Sequence, residues 1–221
     1  MGGQRGWFIG VIAILTMLMS IAFPADAICA TTERIMVYGD SLSAAYGIDP
    51  KVGWVALLES RLRKDGVTVV NSSISGETSS GGLARIKSDL GRIHPTIVIL
   101  ELGANDGLRG LPIADMRRNL QGIISASQAS KARVVVVGLQ IPPNYGIDYA
   151  RQFRDVYAEL AETNRAILVP FLLEGFADRL ELFQADRMHP RAEAQARILD
   201  NVLPAVYKAL AASGAKVPDH K

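Results

Sequence analysis

The chain has 221 residues, enough for one domain with a substantial core, and at 49% apolar it can cover a sheet on both faces. Its formal charge of +2 is the balance of 24 basic and 22 acidic residues. With no basic block and no aromatic-interleaved basic stripe, the composition argues against a nucleic-acid surface.

In chain order, the first thirty residues come first and differ from the rest. Arg5 precedes an uncharged apolar run from Trp7 to Phe23, followed by the small-residue exit "PADAICA" and the polar "TTER". A basic start, an apolar middle and such an exit describe a secretory signal peptide, residues 1–30, with cleavage after Ala27 or Ala30. A permanent membrane anchor is the alternative, since the run is near the lower length limit for a span. A lipoprotein signal fits less well, because Ile28 stands before Cys29 where a small residue is wanted. Cys29 is the one cysteine, so no intramolecular disulfide forms and the exported domain depends on its core alone. That combination points to a bacterial periplasm or secreted fraction.

From Arg34 onward, β-branched runs alternate with helical patterns. "IMVY" (35–38) precedes an amphipathic helix over 53–64, with Trp54, Leu57, Leu58 and Leu62 at helical spacing. "VTVVN" (67–71) precedes a helix over 82–93, "TIVILEL" (96–102) one over 113–130, and "ARVVVVGL" (132–139) one over 149–163. "AILVPF" (166–171) precedes a last helix over 191–212, and the tail looks frayed. Continuous apolar strands separated by helices predict an α/β fold with a parallel sheet covered on both faces, residues 31–221 forming one domain.

The polar oddities follow the strands: Gly39-Asp40-Ser41 the first, Ser75-Gly76-Glu77 the second, Gly103-Ala104-Asn105-Asp106 the third. In an open parallel sheet these loops emerge together at the carboxyl edge, where such folds bind ligands. A serine there needs a base to take its proton. Of the three histidines, His220 sits in the tail and His94 just before the third strand, at the amino edge. His189 remains, in "ADRMHPRAEAQ", with Asp186 three residues before it to hold the imidazole in one tautomer. Ser41, Asp186 and His189 are therefore the expected catalytic triad. The backbone N–H groups of Ser41 and Gly76 and the side-chain amide of Asn105 are the expected oxyanion donors.

Other chemistries fit less well. "SGETSSGG" (75–82) before a helix resembles a phosphate cradle, but it lacks a P-loop lysine and carries Glu77. Asp186 and His189 supply at most two metal ligands, and no H-E-x-x-H occurs. The first strand is followed by no G-x-G-x-x-G, which disfavours a dinucleotide fold. An α/β-hydrolase elbow, G-x-S-x-G, would need glycine where Ser43 stands, and would follow several strands.

At these residues the sequence closely resembles the GDSL, or SGNH, hydrolase family. The four blocks of that family are matched by "YGDSLSAAYG" with Ser41, "NSSISGETSSGGLAR" with Gly76, "LELGANDGLRG" with Asn105, and "DRMHP" with Asp186 and His189. The resemblance implies a flavodoxin-like three-layer α/β/α sandwich with a five-stranded parallel sheet. It also implies hydrolysis of acyl esters and thioesters (arylesterase, acyl-CoA thioesterase or lysophospholipase type) without a cofactor or metal. The expected partner is a small-molecule acyl ester or thioester met by a monomer, with no nucleic acid and no membrane span after signal cleavage. Leu108, Leu111, Ile141, Pro142 and Tyr145 are candidates for an acyl groove; packing against helices is the alternative for them. One departure stands out: Arg187 lies between acid and histidine, where close relatives tend to carry glycine. The runner-up readings are a carbohydrate O-acetylesterase and a non-catalytic acyl- or glycan-binding domain.

Overall fold

Five short β-branched runs form one parallel sheet in the computed structural model, which describes residues 1–3 and 33–212. The expected signal peptide, Cys29 and the tail with His220 lie outside the described residues, apart from residues 1–3. The chain divides into Met1–Thr31 and Thr32–Lys221, and the second unit carries the fold.

The strands are β1 (Arg34–Gly39), β2 (Thr68–Asn71), β3 (Ile97–Glu101), β4 (Arg133–Val137) and β5 (Ile167–Val169), in the order β2-β1-β3-β4-β5. β1, β3 and β4 are buried almost throughout, which is why they read as unbroken apolar runs rather than alternating ones. The helices are α1 (Trp54–Leu62), α2 (Ser79–Ile93), α3 (Ala104–Leu108), α4 (Ile113–Ala129), α5 (Ile147–Thr163) and α6 (Gln195–Ala211). α1 packs with α6, while α2 packs with α4 and α4 with α5, giving two helical layers around the sheet. Right-handed crossovers dictate this split, because the chain reverses its direction across the sheet after β2. The reversal makes β1 and β3 the switch point, and the crevice beyond their carboxyl ends is the natural ligand site.

The starts of two helices depart by three residues or more from the sequence reading, and the short α3 is not among its elements. α2 starts at Ser79 rather than Gly82, because polar contacts, not apolar spacing, fix its first turn. Thr78 Oγ1 accepts from Gly81 N–H, and Asp106 accepts from both Ser79 N–H (2.8 Å) and Ser79 Oγ–H (2.6 Å). α6 starts at Gln195 because residues 192–194 form a separate 3-10 turn. Gln195 is buried, and its Oε1 accepts from Trp54 N–H (3.0 Å), joining the start of α6 to the start of α1.

α6 runs through Pro204, an exposed interior position where proline removes one helical hydrogen bond and crowds the preceding turn. Pro204→Ala is therefore expected to stabilise the domain by roughly 1–3 kcal/mol, read as a higher urea midpoint. An unchanged midpoint would mean that the helix had already relaxed around the ring.

Candidate active site

The serine loop is built by the end of β1. A Cβ at Gly39 would lie 2.5 Å from Glu101 Oε2 and 2.7 Å from Ser43 Oγ, so only glycine lets the two strand ends meet there. Asp40 follows, fully buried, and its Oδ1 accepts from Leu42 N–H (3.0 Å). This Asx-type bond turns the chain sharply off the strand and presents Ser41, half-buried, at the sheet edge. Trp54, fully buried in α1, donates its indole N–H to Leu42 C=O (3.2 Å) and pins the far side of the turn.

The histidine arrives from the other end of the chain. His189 Nε2 lies 2.9 Å from Ser41 Oγ, and His189 Nδ1 lies 2.7 Å from Asp186 Oδ2. With Nδ1–H donating to the carboxylate, Nε2 is the acceptor facing the serine. Asp186 Oδ1 also accepts the N–H groups of Met188 (2.9 Å) and His189 (3.0 Å), which fixes the acid relative to the imidazole. Burial pushes the Asp186 carboxyl up, but these two N–H bonds and the imidazole outweigh it and hold it at about 2. The ring of Tyr46 lies against the imidazole, 4.5 Å between centroids, and Gln184 Nε2–H donates to Tyr46 C=O (2.8 Å).

The loops after β2 and β3 supply the remaining groups. Gly76 sits at φ +80°, exposed, and its carbonyl accepts from Arg109 (3.0 Å). Its loop is tied down by Glu77, which pairs with Arg85; Arg85 also pairs with Asp89 (2.5 Å) and stacks over the Tyr38 ring at 4.0 Å. Asn105, in the first turn of α3, donates from Nδ2 to Asp40 Oδ2 (3.1 Å) and to Glu77 C=O (3.0 Å). The N–H groups of Ser41 and Gly76 donate to no protein atom among the described residues. Ser41, Asp186 and His189 thus share one hydrogen-bonded chain, and Asn105 is tied to Ser41's neighbour Asp40.

His94, the set-aside histidine, caps α2 at φ 49°. It lines a cavity of about 680 Å³ with Lys87, Leu90, Pro95, Thr96 and Lys131, which contains none of the candidate residues. Of the groove candidates, Ile141 is buried and Leu108 packs partly against the core, while Leu111, Pro142 and Tyr145 are exposed. The sequence reading missed Tyr46, Gln184 and Glu101. Only Glu101 left a signal, as an acid inside the apolar run "TIVILEL". Among the described residues, no cluster of three or more histidine, cysteine or acidic side chains is arranged to hold a metal.

A family model described as the GDSL-like lipase/acylhydrolase family matches residues 37–197. Esterase TesA of Pseudomonas aeruginosa is 46% identical over 177 residues, 79% of this chain and 88% of that protein. A crystal structure of TesA superposes with a TM-score of 0.78 at 46% identity, covering 80% of this chain and all (100%) of that one. An arylesterase of Vibrio mimicus is 40% identical over 202 residues, 90% of this chain and 100% of that protein. Thioesterase 1/protease 1/lysophospholipase L1 of Escherichia coli K12 is 36% identical over 171 residues, 77% of this chain and 82% of that protein.

Arg187 adopts φ 58°, a left-handed conformation that glycine takes without cost. Arg187→Gly is expected to raise stability by about 1 kcal/mol. The left-handed conformation costs roughly 1–2 kcal/mol, and the added freedom of the unfolded chain returns roughly 0.5–1 kcal/mol. Chemical denaturation measures the difference, and a loss of stability would show that the arginine side chain holds the turn.

Proposed function

The chain belongs to the GDSL-like lipase/acylhydrolase family, and from that premise we propose that Ser41 is the nucleophile with which this esterase and thioesterase forms an acyl-enzyme. The observation that carries the reading is the Ser41–His189–Asp186 chain, 2.9 and 2.7 Å, closed between residues 148 apart. His189 Nε2 takes the Ser41 proton as Oγ attacks the ester or thioester carbonyl, and returns it to the departing alcohol or thiol. Asp186 stays ionised and stabilises the imidazolium. In the second half His189 takes a proton from water as the water oxygen attacks the acyl carbon, and returns that proton to Ser41 Oγ as the acyl–Oγ bond breaks and the acid departs.

The tetrahedral oxyanion takes hydrogen bonds from the N–H groups of Ser41 and Gly76. Asn105 keeps one amide hydrogen on Asp40, which holds the group still, and turns the other from Glu77 C=O to the oxyanion. The two backbone N–H groups stabilise the transition state without reorientation as charge develops, whereas Asn105 exchanges its bond to Glu77 C=O for one to the oxyanion.

Exposed apolar side chains in the loops around the strand ends support an acyl substrate of medium or long chain: Ile74 beside Gly76, and Leu111 and Tyr145 in the loops after β3 and β4. The basic start, apolar run and small-residue exit of residues 1–30 support export through a cleavable signal, hence a bacterial periplasmic or secreted enzyme. No helix among the described residues is long and apolar enough to cross a membrane.

Ser41→Ala is expected to abolish hydrolysis of p-nitrophenyl esters with the fold intact by circular dichroism; residual turnover near wild type would remove the assignment. Asn105→Ala should lower kcat by about 10²–10³-fold, the usual cost of one oxyanion donor. Across acetate to palmitate, turnover should peak at medium or long chains, whereas an acetate-only profile would favour a carbohydrate O-acetylesterase. Mass spectrometry of the exported protein should give Ile28 or Thr31 as the first residue.

A further inference from the structure

Glu101 is the last residue of β3, and its side chain is wholly buried beside the end of β1. Its Oε2 accepts from the Ser43 hydroxyl (2.6 Å) and from Asp40 N–H (3.3 Å), on either side of Ser41. Its Oε1 is buried and has no partner among the described residues. We propose that Glu101 is a neutral positioning residue, a buried carboxylic acid that anchors the turn carrying Ser41 without adding charge behind it. The inference rests on the reading of Ser41 as nucleophile.

Three features of the surroundings point this way. A carboxylate spreads its charge over both oxygens, and here one of the two would be charged, dry and unpaired. Asp40 is the adjacent acid at the end of β1, and two buried like charges side by side disfavour ionising both. The other titratable groups around the pair are Tyr157 from α5, Asp106 from α3 and His189 from the loop before α6. Of these only a protonated His189 is cationic, and its charge acts on Asp40 rather than on Glu101. Burial, then Asp40, push the Glu101 carboxyl well above its usual range, and the bonds from Ser43 and Asp40 N–H offset this only in part. Burial raises Asp40 too, but the N–H of Leu42, His189 and Asn105 limit the rise to about 6. Asp40 accepts a hydrogen bond on each oxygen, from Leu42 N–H and from Asn105 Nδ2, whereas Glu101 leaves one oxygen unpaired, so the pair's single negative charge at neutral pH sits on Asp40, where it orients Asn105.

The arrangement matters for the reaction. A second negative charge on Glu101 would repel Asp40, loosen its hold on Asn105 and oppose the charge developing on the oxyanion. As pH rises far enough to ionise Glu101, kcat should fall.

The test compares wild type with E101Q and E101L, measuring kcat and KM for one p-nitrophenyl ester across pH, with folding followed by circular dichroism. Glutamine can accept both hydrogen bonds through its carbonyl and stays neutral at every pH. E101L is expected to lose roughly 10–100-fold in kcat with little change in KM, because the nucleophile is displaced and not the substrate site. E101Q should recover most of that loss and lack the alkaline fall seen in wild type. An E101Q that is as slow as E101L at pH 7, or that keeps the alkaline fall, overturns the proposal; so does an E101L as fast as wild type. Should E101L not fold, the E101Q profile decides alone. Infrared difference spectra supply a reading independent of turnover: wild type at pH 8 should show the carbonyl stretch of a protonated carboxyl that E101Q lacks, and its absence from wild type also overturns the proposal. An active Ser41→Ala would remove the nucleophile assignment while leaving that spectrum unchanged, so the two failures are distinguishable.

Discussion

The close approach of two strand ends, Gly39 of β1 and Glu101 of β3, is the constraint on which the rest of the site depends. They are register partners in the sheet, and the missing side chain at 39 leaves the volume that Glu101 Oε2 and Ser43 Oγ occupy. Through that gap Glu101 reaches Asp40 N–H and the Ser43 hydroxyl, so the turn bearing Ser41 is held from beneath by a neighbouring strand. A strand is a stiffer support than a loop, because its backbone is fixed by hydrogen bonds on both edges. Precise placement of a serine relative to a histidine 148 residues away needs such a support.

The other loops are fastened to this one in sequence. Asp40 holds Asn105, Asn105 holds the Glu77 carbonyl, and the Glu77 side chain is held in turn by Arg85 of α2. Asp106, next to Asn105, caps the start of α2 through Ser79. The elements after β1, β2 and β3 are thereby linked by buried or half-buried polar contacts, each with its partner supplied by a different strand end. The histidine loop joins them through Gln184 and Tyr46.

Much of this was legible in the sequence, and the rest has a physical reason for its silence. The strands were readable because β1, β3 and β4 are buried on both faces and carry unbroken runs such as "IVILE" and "RVVVV". The loops stood out because glycine, acid and hydroxyl residues follow each run directly. His189 emerged by elimination among three histidines. The start of α2 was missed because Asp106, a residue from another loop, fixes it rather than apolar periodicity. α3 spans five residues, too few to show a period. Glu101, Tyr46 and Gln184 act through partners 58 to 143 residues distant, and those pairings depend on strand order, which no local pattern encodes. Ile141 illustrates the same limit: as an apolar loop residue it reads equally as groove or core, and it is buried.

The central claim is that Ser41, and not its neighbour Ser43, is the nucleophile of this hydrolase. Ser43 is buried with its hydroxyl committed to Glu101, whereas Ser41 Oγ faces His189. The direct measurement is covalent labelling with an alkyl fluorophosphonate, followed by peptide mass spectrometry. The account predicts stoichiometric phosphonylation at Ser41, parallel to loss of esterase activity and absent from Ser41→Ala. Labelling at Ser43, or inactivation with Ser41 unmodified, would contradict it.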